Sequence, residues 1–279
     1  MSEHQMSKPQ YKCKLNFGIE LEVLVKLPKE IAKLNFVDIN KKIKRLSFII
    51  KKKLPNINIE FSKEKEIDDY SVWHILKDDS LVCDKNFLAF EIISPIITNK
   101  KVQFKELKKI LNVLKKFDVC VNGSCGFHLH LSQKEEPFTL EQIKNICKIF
   151  LTFEDSLDNI NPERKNNMYC QSNRYNINLK DSSLDECFTL INNCNSMFSL
   201  VHLINPINKN TEMYQTRGKG EHYGSWYRNQ RFYKLNLTNI LNQKETIEIR
   251  SHSGTTDYSD IIDWVETWET LFNVSKYFQ

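Results

Sequence analysis

Glu20 and Glu22 stand two residues apart in LNFGIELEVLV, where Phe17, Ile19, Leu21, Val23 and Val25 alternate with polar or small residues. At strand spacing both carboxylates leave one face, about 6.6 Å apart along the chain. Strands deplete Glu, and like charges on one face repel. A shared divalent cation removes that repulsion, because hard cations take carboxylate oxygens. The plainer alternative is a sheet with this face in water. Glu91 sits among Phe90, Ile92 and Ile93. A carboxylate in such surroundings needs a cation, whether a metal ion or a basic side chain.

His128 and His130 form an HxH pair in GFHLHLS, pointing away from Phe127, Leu129 and Leu131, after a glycine that permits close approach. Two imidazoles at that spacing suit a metal or phosphate site better than a lone strand histidine does. The same pair occurs in zinc hydrolases. In TIEIRSHSGT, Glu248, Arg250 and His252 alternate with Ile247, Ile249 and Ser251, so strict alternation puts all three on one face. That set reads as a cross-strand ion ladder or as a functional face on which Glu248 meets a cation and Arg250 grips a phosphate or carboxylate in bidentate fashion. Carboxylates with one or two histidines favour Mg²⁺ or Mn²⁺ over zinc. The chain has no GxxxxGK[ST] and no GxGxxG. A nucleotide would therefore be held through metal and side chains on a sheet.

These residues need elements to position them. The alternation predicts strands at 15–25, 87–93, 119–132, 232–238 and 246–252. Helical spacing predicts helices over 29–54, 101–117, 139–157 and 257–277, with Thr139 and Gln142 as a capping box. A further helix is expected around 184–203, and 56–72 reads as irregular. Residues 158–232, including RGKGEHYGSWYRNQR, are the least legible. No repeat and no Gly-, Ser- or Pro-rich linker divides the chain. A flexible N-terminus over 1–14 and one catalytic domain over 15–279 are expected.

With 279 residues, 41% hydrophobic and 27% charged, the composition is that of a globular chain able to bury a large core. No apolar run is long enough to span a bilayer. The polar start, MSEHQMSKPQ, lacks the apolar stretch of a secretory signal. The eight cysteines contain no CxxC, so they read as reduced thiols in a cytoplasmic setting rather than as a zinc ribbon. The net charge of +5 comes from lysine. The runs Lys41–Arg45, Lys51–Lys53 and Lys100–Lys116 read as solvated helix faces, and abundant Lys, Asn and Ile suit an AT-rich coding genome. Arginine and aromatics do not gather into one stripe, so nucleic acid is not the expected partner.

In order, FGIELE (17–22), DDS (78–80), FEIISP (90–95), GFHLH (126–130), Arg231 with LNL (235–237) and TIEIRSHSGT (246–255) resemble the amidoligase family of the carboxylate–amine ligase superfamily, which includes glutamine synthetase and γ-glutamylcysteine synthetase. The resemblance runs from about residue 15 to 270 and rests on the order of short motifs. It implies an α+β fold, with a curved, mostly antiparallel sheet, helices on one face, and ATP with Mg²⁺ on the other. It implies an ATP-dependent amidoligase that joins a small-molecule or peptide carboxylate to an amine through an acyl phosphate. By position, Glu20, Glu22, Glu91, His128 and Glu248 resemble the metal ligands. His130, Arg164, Arg231 and Arg250 resemble nucleotide contacts, with Arg231, Arg250 and Glu248 also catalytic. Asp79 and Asn236 match positions facing substrate. A glycine common before the Glu91 strand is replaced by an extended 82–87 segment, and Ile249 stands where the family has an aromatic. The competing readings are a divalent-metal hydrolase using HxH with carboxylates, and a non-catalytic ligase-fold or nucleic-acid-binding protein.

Overall fold

The structure, a computed structural model, describes residues 15–33, 38–63, 67, 69–207, 230–242 and 244–277. Most of the Gly-spaced run, with Arg217 and Arg228, lies outside these residues, as does the N-terminal stretch expected to be flexible.

One open sheet organises the chain. Its strands are β1 (Leu15–Lys26), β2 (Ile59–Phe61), β3 (Trp73–Leu76), β4 (Phe87–Ile93), β5 (Val119–Cys120), β6 (Gly126–Gln133), β7 (Leu235–Asn236) and β8 (Ile247–Ser253). They run in the order β2-β3-β4-β1-β6-β8-β7, with β5 pairing to β1. All pairings are antiparallel except β2 with β3. Seven helices occur among the described residues: α1 (Lys29–Ala32), α2 (Ile39–Lys53), α3 (Lys100–Lys115), α4 (Leu140–Ile160), α5 (Leu184–Asn192), α6 (Met197–Ile204) and α7 (Tyr258–Ser275). None is long and apolar enough to cross a membrane.

The alternation in β1 sets the layering. Phe17, Ile19, Leu21, Val23 and Val25 are buried in one cluster with Phe90, Ile92, Phe127, Leu129, Ile247 and Ile249. Helix residues complete it: Ile43 and Leu46 from α2, Phe104 and Leu107 from α3, Ile143 and Phe150 from α4, Trp264 and Trp268 from α7. At roughly 1.5–3 kcal/mol for each buried large apolar side chain, this face supplies the main drive to fold. The other face is left to the ionisable residues.

Several elements differ from the sequence expectation. The helix expected over 29–54 is two pieces, with the longer capped by Asp38, which accepts from Asn40 N at 2.9 Å. The helix expected around 184–203 is also two, because Asn193 and Ser196 end one and cap the next. Residues 119–132 break into β5 and β6 at the Asn122–Ser124 turn. β3 was not anticipated: WHIL is too short and too apolar to show a period of two, and all four residues are buried. The capping box of Thr139 and Gln142 is present at the start of α4.

Candidate active site

Antiparallel pairing puts opposed residues on one face, so the register decides which side chains meet. Glu22 lies opposite Glu91, and Glu20 opposite His128. His130 lies opposite Glu248, and Glu248 opposite Asn236. Five strands thus deliver one connected row of ionisable and polar groups across the sheet.

The side chains gather into two clusters. Glu20, His130 and Glu248 each place a potential ligand atom within 4.8 Å of the others, as do Glu22, Asp78 and Glu91. His128 stands between the two. Its Nδ1 is 3.3 Å from Glu20 Oε2 and 3.8 Å from Glu248 Oε1, and its Nε2 is 3.9 Å from Glu22 Oε1. His130 Nε2 is 3.0 Å from Glu20 Oε1. His128 Nε2 is buried and makes no hydrogen bond. A buried imidazole nitrogen left open, with a second imidazole and carboxylate oxygens gathered beside it, is a donor set that a Mg²⁺ or Mn²⁺ ion takes, and these residues fit such an ion.

The electrostatics follow from this crowding. Burial pushes the Glu20 carboxyl up, but the imidazoles of His130 and His128 outweigh it and hold it well below the usual carboxylate range. Burial likewise opposes Glu248, yet Arg250 and then His130 bring it down to about 2. For His130, burial favours the neutral ring and Glu20 reverses this, leaving its pKa raised. Arg250 is raised for the same reason, by Glu248 against burial.

Arg250 is firmly held. Its Nη1 donates to Glu248 Oε1 and its Nε donates to the Tyr169 carbonyl at 3.3 Å. Asn236 Nδ2 donates to the other Glu248 oxygen at 2.6 Å. Glu248 is therefore fixed from both sides. Arg164, expected at the nucleotide, is only 2% exposed and forms the wall behind the floor, where its Nη2 donates to the Arg250 carbonyl at 3.2 Å. A Cβ at Gly126 would lie 2.8 Å from His128 Nε2 and 3.0 Å from Arg164 Nη2. Only glycine lets these three approach, and its own N–H donates to Glu22 Oε2 at 2.6 Å. Arg231 remains on the surface over the Phe232 ring, while protein crowding and the charge of Arg250 lower its pKa.

Two sequence readings change. His252 does not share the face of Glu248 and Arg250. β8 carries a bulge, with Phe127 opposite His252 but Leu129 opposite Ile249. The extra residue flips the alternation. His252 turns into the core, its ring 5.2 Å from Phe127 and 4.7 Å from Trp264, and burial lowers its pKa. Asp79 does not reach the floor either; it is exposed and pairs with Lys77. Asp78 takes that place, its Oδ1 bonded to Ser80 N and Oγ at 2.6 Å. The D-x-S spacing, read as Asp78 and Ser80, contained this signal.

Two further groups stand at the rim, Thr246 at the start of TIEIRSHSGT and Lys244 just before it. Thr246 Oγ1 is 3.2 Å from His130 Nδ1. Exposed Lys244 lies 5.8 Å from the Tyr70 ring centroid; the protein crowding it opposes its charge, but Glu20, Tyr70 and Glu248 raise its pKa overall.

A family model described as "Putative amidoligase enzyme" matches residues 13–272. Neither the curated proteins nor the solved structures yield a match to the chain.

Proposed function

The chain belongs to the amidoligase family of ligase-type enzymes, and from that premise we propose that it is an ATP-dependent carboxylate–amine ligase with a glutamine-synthetase-like catalytic sheet. The observation that carries this reading is the pair of acidic clusters, Glu20/His130/Glu248 and Glu22/Asp78/Glu91, side by side on one sheet face. Each would hold one Mg²⁺ or Mn²⁺, and the two ions supply neutralisation of the triphosphate charge.

The reaction transfers the γ-phosphoryl group of ATP to an oxygen of a substrate carboxylate, releasing ADP. The amine nitrogen then attacks the carbonyl carbon, the C–O bond to phosphate breaks, and the amine sheds a proton as the amide forms. The chain's own residues position these steps. Glu248 is locked between Arg250 and Asn236, so its oxygens cannot drift. Arg231 and Lys244 bring cationic side chains to the rim, where Glu20 and Glu248 influence both. Preorganised cations at a developing phosphate charge are the main catalytic device of phosphoryl transfer. His128 links the two clusters and keeps Glu20 oriented.

The test is calorimetric titration with ATP in Mg²⁺, with Mn²⁺, and with EDTA, followed by phosphate release in the presence of pooled carboxylic acids and hydroxylamine as the amine. Metal-dependent ATP binding with hydroxamate formation supports the ligase. Metal-dependent cleavage of esters or amides without ATP would instead identify a hydrolase.

A further inference from the structure

We propose that the outward face of α2 and α3, on the side of the sheet away from the carboxylate floor, binds the phosphate backbone of a nucleic acid without reading its sequence. α2 carries seven basic residues and no acid; α3 carries six and a single acid, Glu106. At the chain's average composition these 31 positions would hold about four of each sign. The two helices together bear a net charge of +12, so the remainder of a chain of net +5 bears −7. A lysine-rich coding bias spreads lysine everywhere; it does not remove the acids from two helices and place those helices together.

The structure places them together. α2 and α3 touch one another in the helical layer. Ile43, Leu46 and Ile50 of one and Phe104, Leu107 and Leu111 of the other turn into the core. Lys41, Lys44 and Lys52 of α2, with Lys101, Lys105 and Lys109 of α3, are exposed on the opposite sides. Glu106 is turned inward, accepting from Trp73 Nε1 at 2.9 Å. Lys100 pairs with Glu269, and among the described residues no other base of these helices has an acid within 4.0 Å. From Lys41 to Lys52 the ridge runs about 16 Å, the axial length of about five phosphates on one strand of a duplex. The apolar stripes of both helices are used by the core, so no second stripe is left to enter a bilayer. Exposed Phe48, with Arg45 5.5 Å from its ring centroid, and exposed Val102 are one on each helix and form no stripe. A polyanion held by charge alone is the partner that suits this surface.

Fluorescence anisotropy with short labelled DNA and RNA duplexes of arbitrary sequence tests the assignment. Wild type should bind both, and log K against log salt should fall with a slope of about −4. The variant Lys44→Glu/Lys52→Glu/Lys105→Glu/Lys109→Glu should lose at least about 30-fold in affinity, with a slope shallower by about three. The same four positions changed to Gln should fall between, and melting temperatures confirm that each variant is folded. Lys85→Glu/Lys134→Glu/Lys165→Glu/Lys180→Glu makes an equal change in net charge elsewhere and should lose less than about threefold. Equal losses in the two sets, salt-insensitive binding, or no duplex binding would overturn the proposal. Binding to vesicles rich in anionic phospholipid, with none to duplex, would overturn it in favour of a membrane surface.

Discussion

Glu22 and Glu91 lie directly opposite one another across the pairing of β1 with β4, and both are buried. Asp78 completes the group within 4.8 Å. Opposed like charges weaken a strand pair, by roughly 0.2–1 kcal/mol on an exposed sheet and more where water is excluded. Glu91→Gln removes one of the three carboxylates and should at least halve the rise in melting temperature that Mn²⁺ produces. Differential scanning fluorimetry with and without Mn²⁺ reads it. A metal-free variant that melts well below wild type, with an undiminished Mn²⁺ shift, would mean that Glu91 is a structural partner only.

Asp78 and Asp79 are adjacent in sequence and opposite in placement. Asp78→Asn should weaken Mn²⁺ binding at least tenfold, while Asp79→Asn should change it less than twofold, since Asp79 contacts Lys77 at the surface. Calorimetric titration of both variants checks the pair. Equal effects would remove Asp78 from the cluster.

The strands that build the floor were legible because alternation with one buried face is a strong signal: Glu20, Glu22, His128, His130 and Glu248 all follow from it. Where that signal fails, the reasons are local. The β8 bulge inverts the parity of His252, and no composition rule marks a bulge that lacks glycine. Asp78 is on a turn, where neither period applies. Arg164 stands in the loop after α4, and its place behind Gly126 depends on a contact between distant segments. Lys244 and Thr246 reach the site because β7 and β8 pair; strands were expected at 232–238 and 246–252, but the first is only Leu235–Asn236, and alternation does not say which strands pair.

Gly126→Ala should disturb the site more than its size suggests. The added methyl group would sit 2.8 Å from His128 Nε2, which cannot retreat without pressing on Glu22 or Glu20. A loss of about 1–3 kcal/mol in chemical denaturation is expected from such overpacking. Mn²⁺ affinity should fall with it. Gly123→Ala, where nothing lies within 4 Å of the new Cβ, is the control and should be near neutral.

Stability of the metal-free protein should have a maximum between about pH 4.5 and 6.5. The folded pKa of Glu248 is about 2, below its unfolded value, so its contribution is full above the unfolded pKa and disappears as pH falls toward 2. His130 has a raised folded pKa, so its contribution is full below the unfolded value of about 6.5 and is lost as pH rises through the folded one. His130→Gln should flatten the alkaline limb and leave the acid limb in place. With saturating Mn²⁺ the alkaline limb should reverse, because a metal ion competes with the proton for the imidazole. Melts across this range, with and without Mn²⁺, decide it; an unchanged alkaline limb in His130→Gln would sink the assignment.

Lys244 offers the sharpest test of where a nucleotide's terminal phosphate lies. It precedes Glu245, a non-glycine residue held at φ 49°, a conformation that costs energy and persists where surrounding contacts enforce it. The contact is Thr246 Oγ1 with His130 Nδ1 at 3.2 Å, which fixes the turn against the floor. Lys244 therefore sits exposed at the edge of the Glu20/His130/Glu248 cluster, and these carboxylates raise its pKa. A lysine held there has an anion to meet when ATP arrives and less to meet with ADP. Lys244→Met should weaken Mg-ATP binding about tenfold or more and Mg-ADP binding less than threefold, a difference of roughly 1 kcal/mol. Lys244→Arg should restore most of the ATP affinity, since it keeps the charge. Equal weakening of ATP and ADP would place Lys244 away from the γ-phosphate, and a wild type that binds neither nucleotide in Mg²⁺ would remove the ligase reading itself.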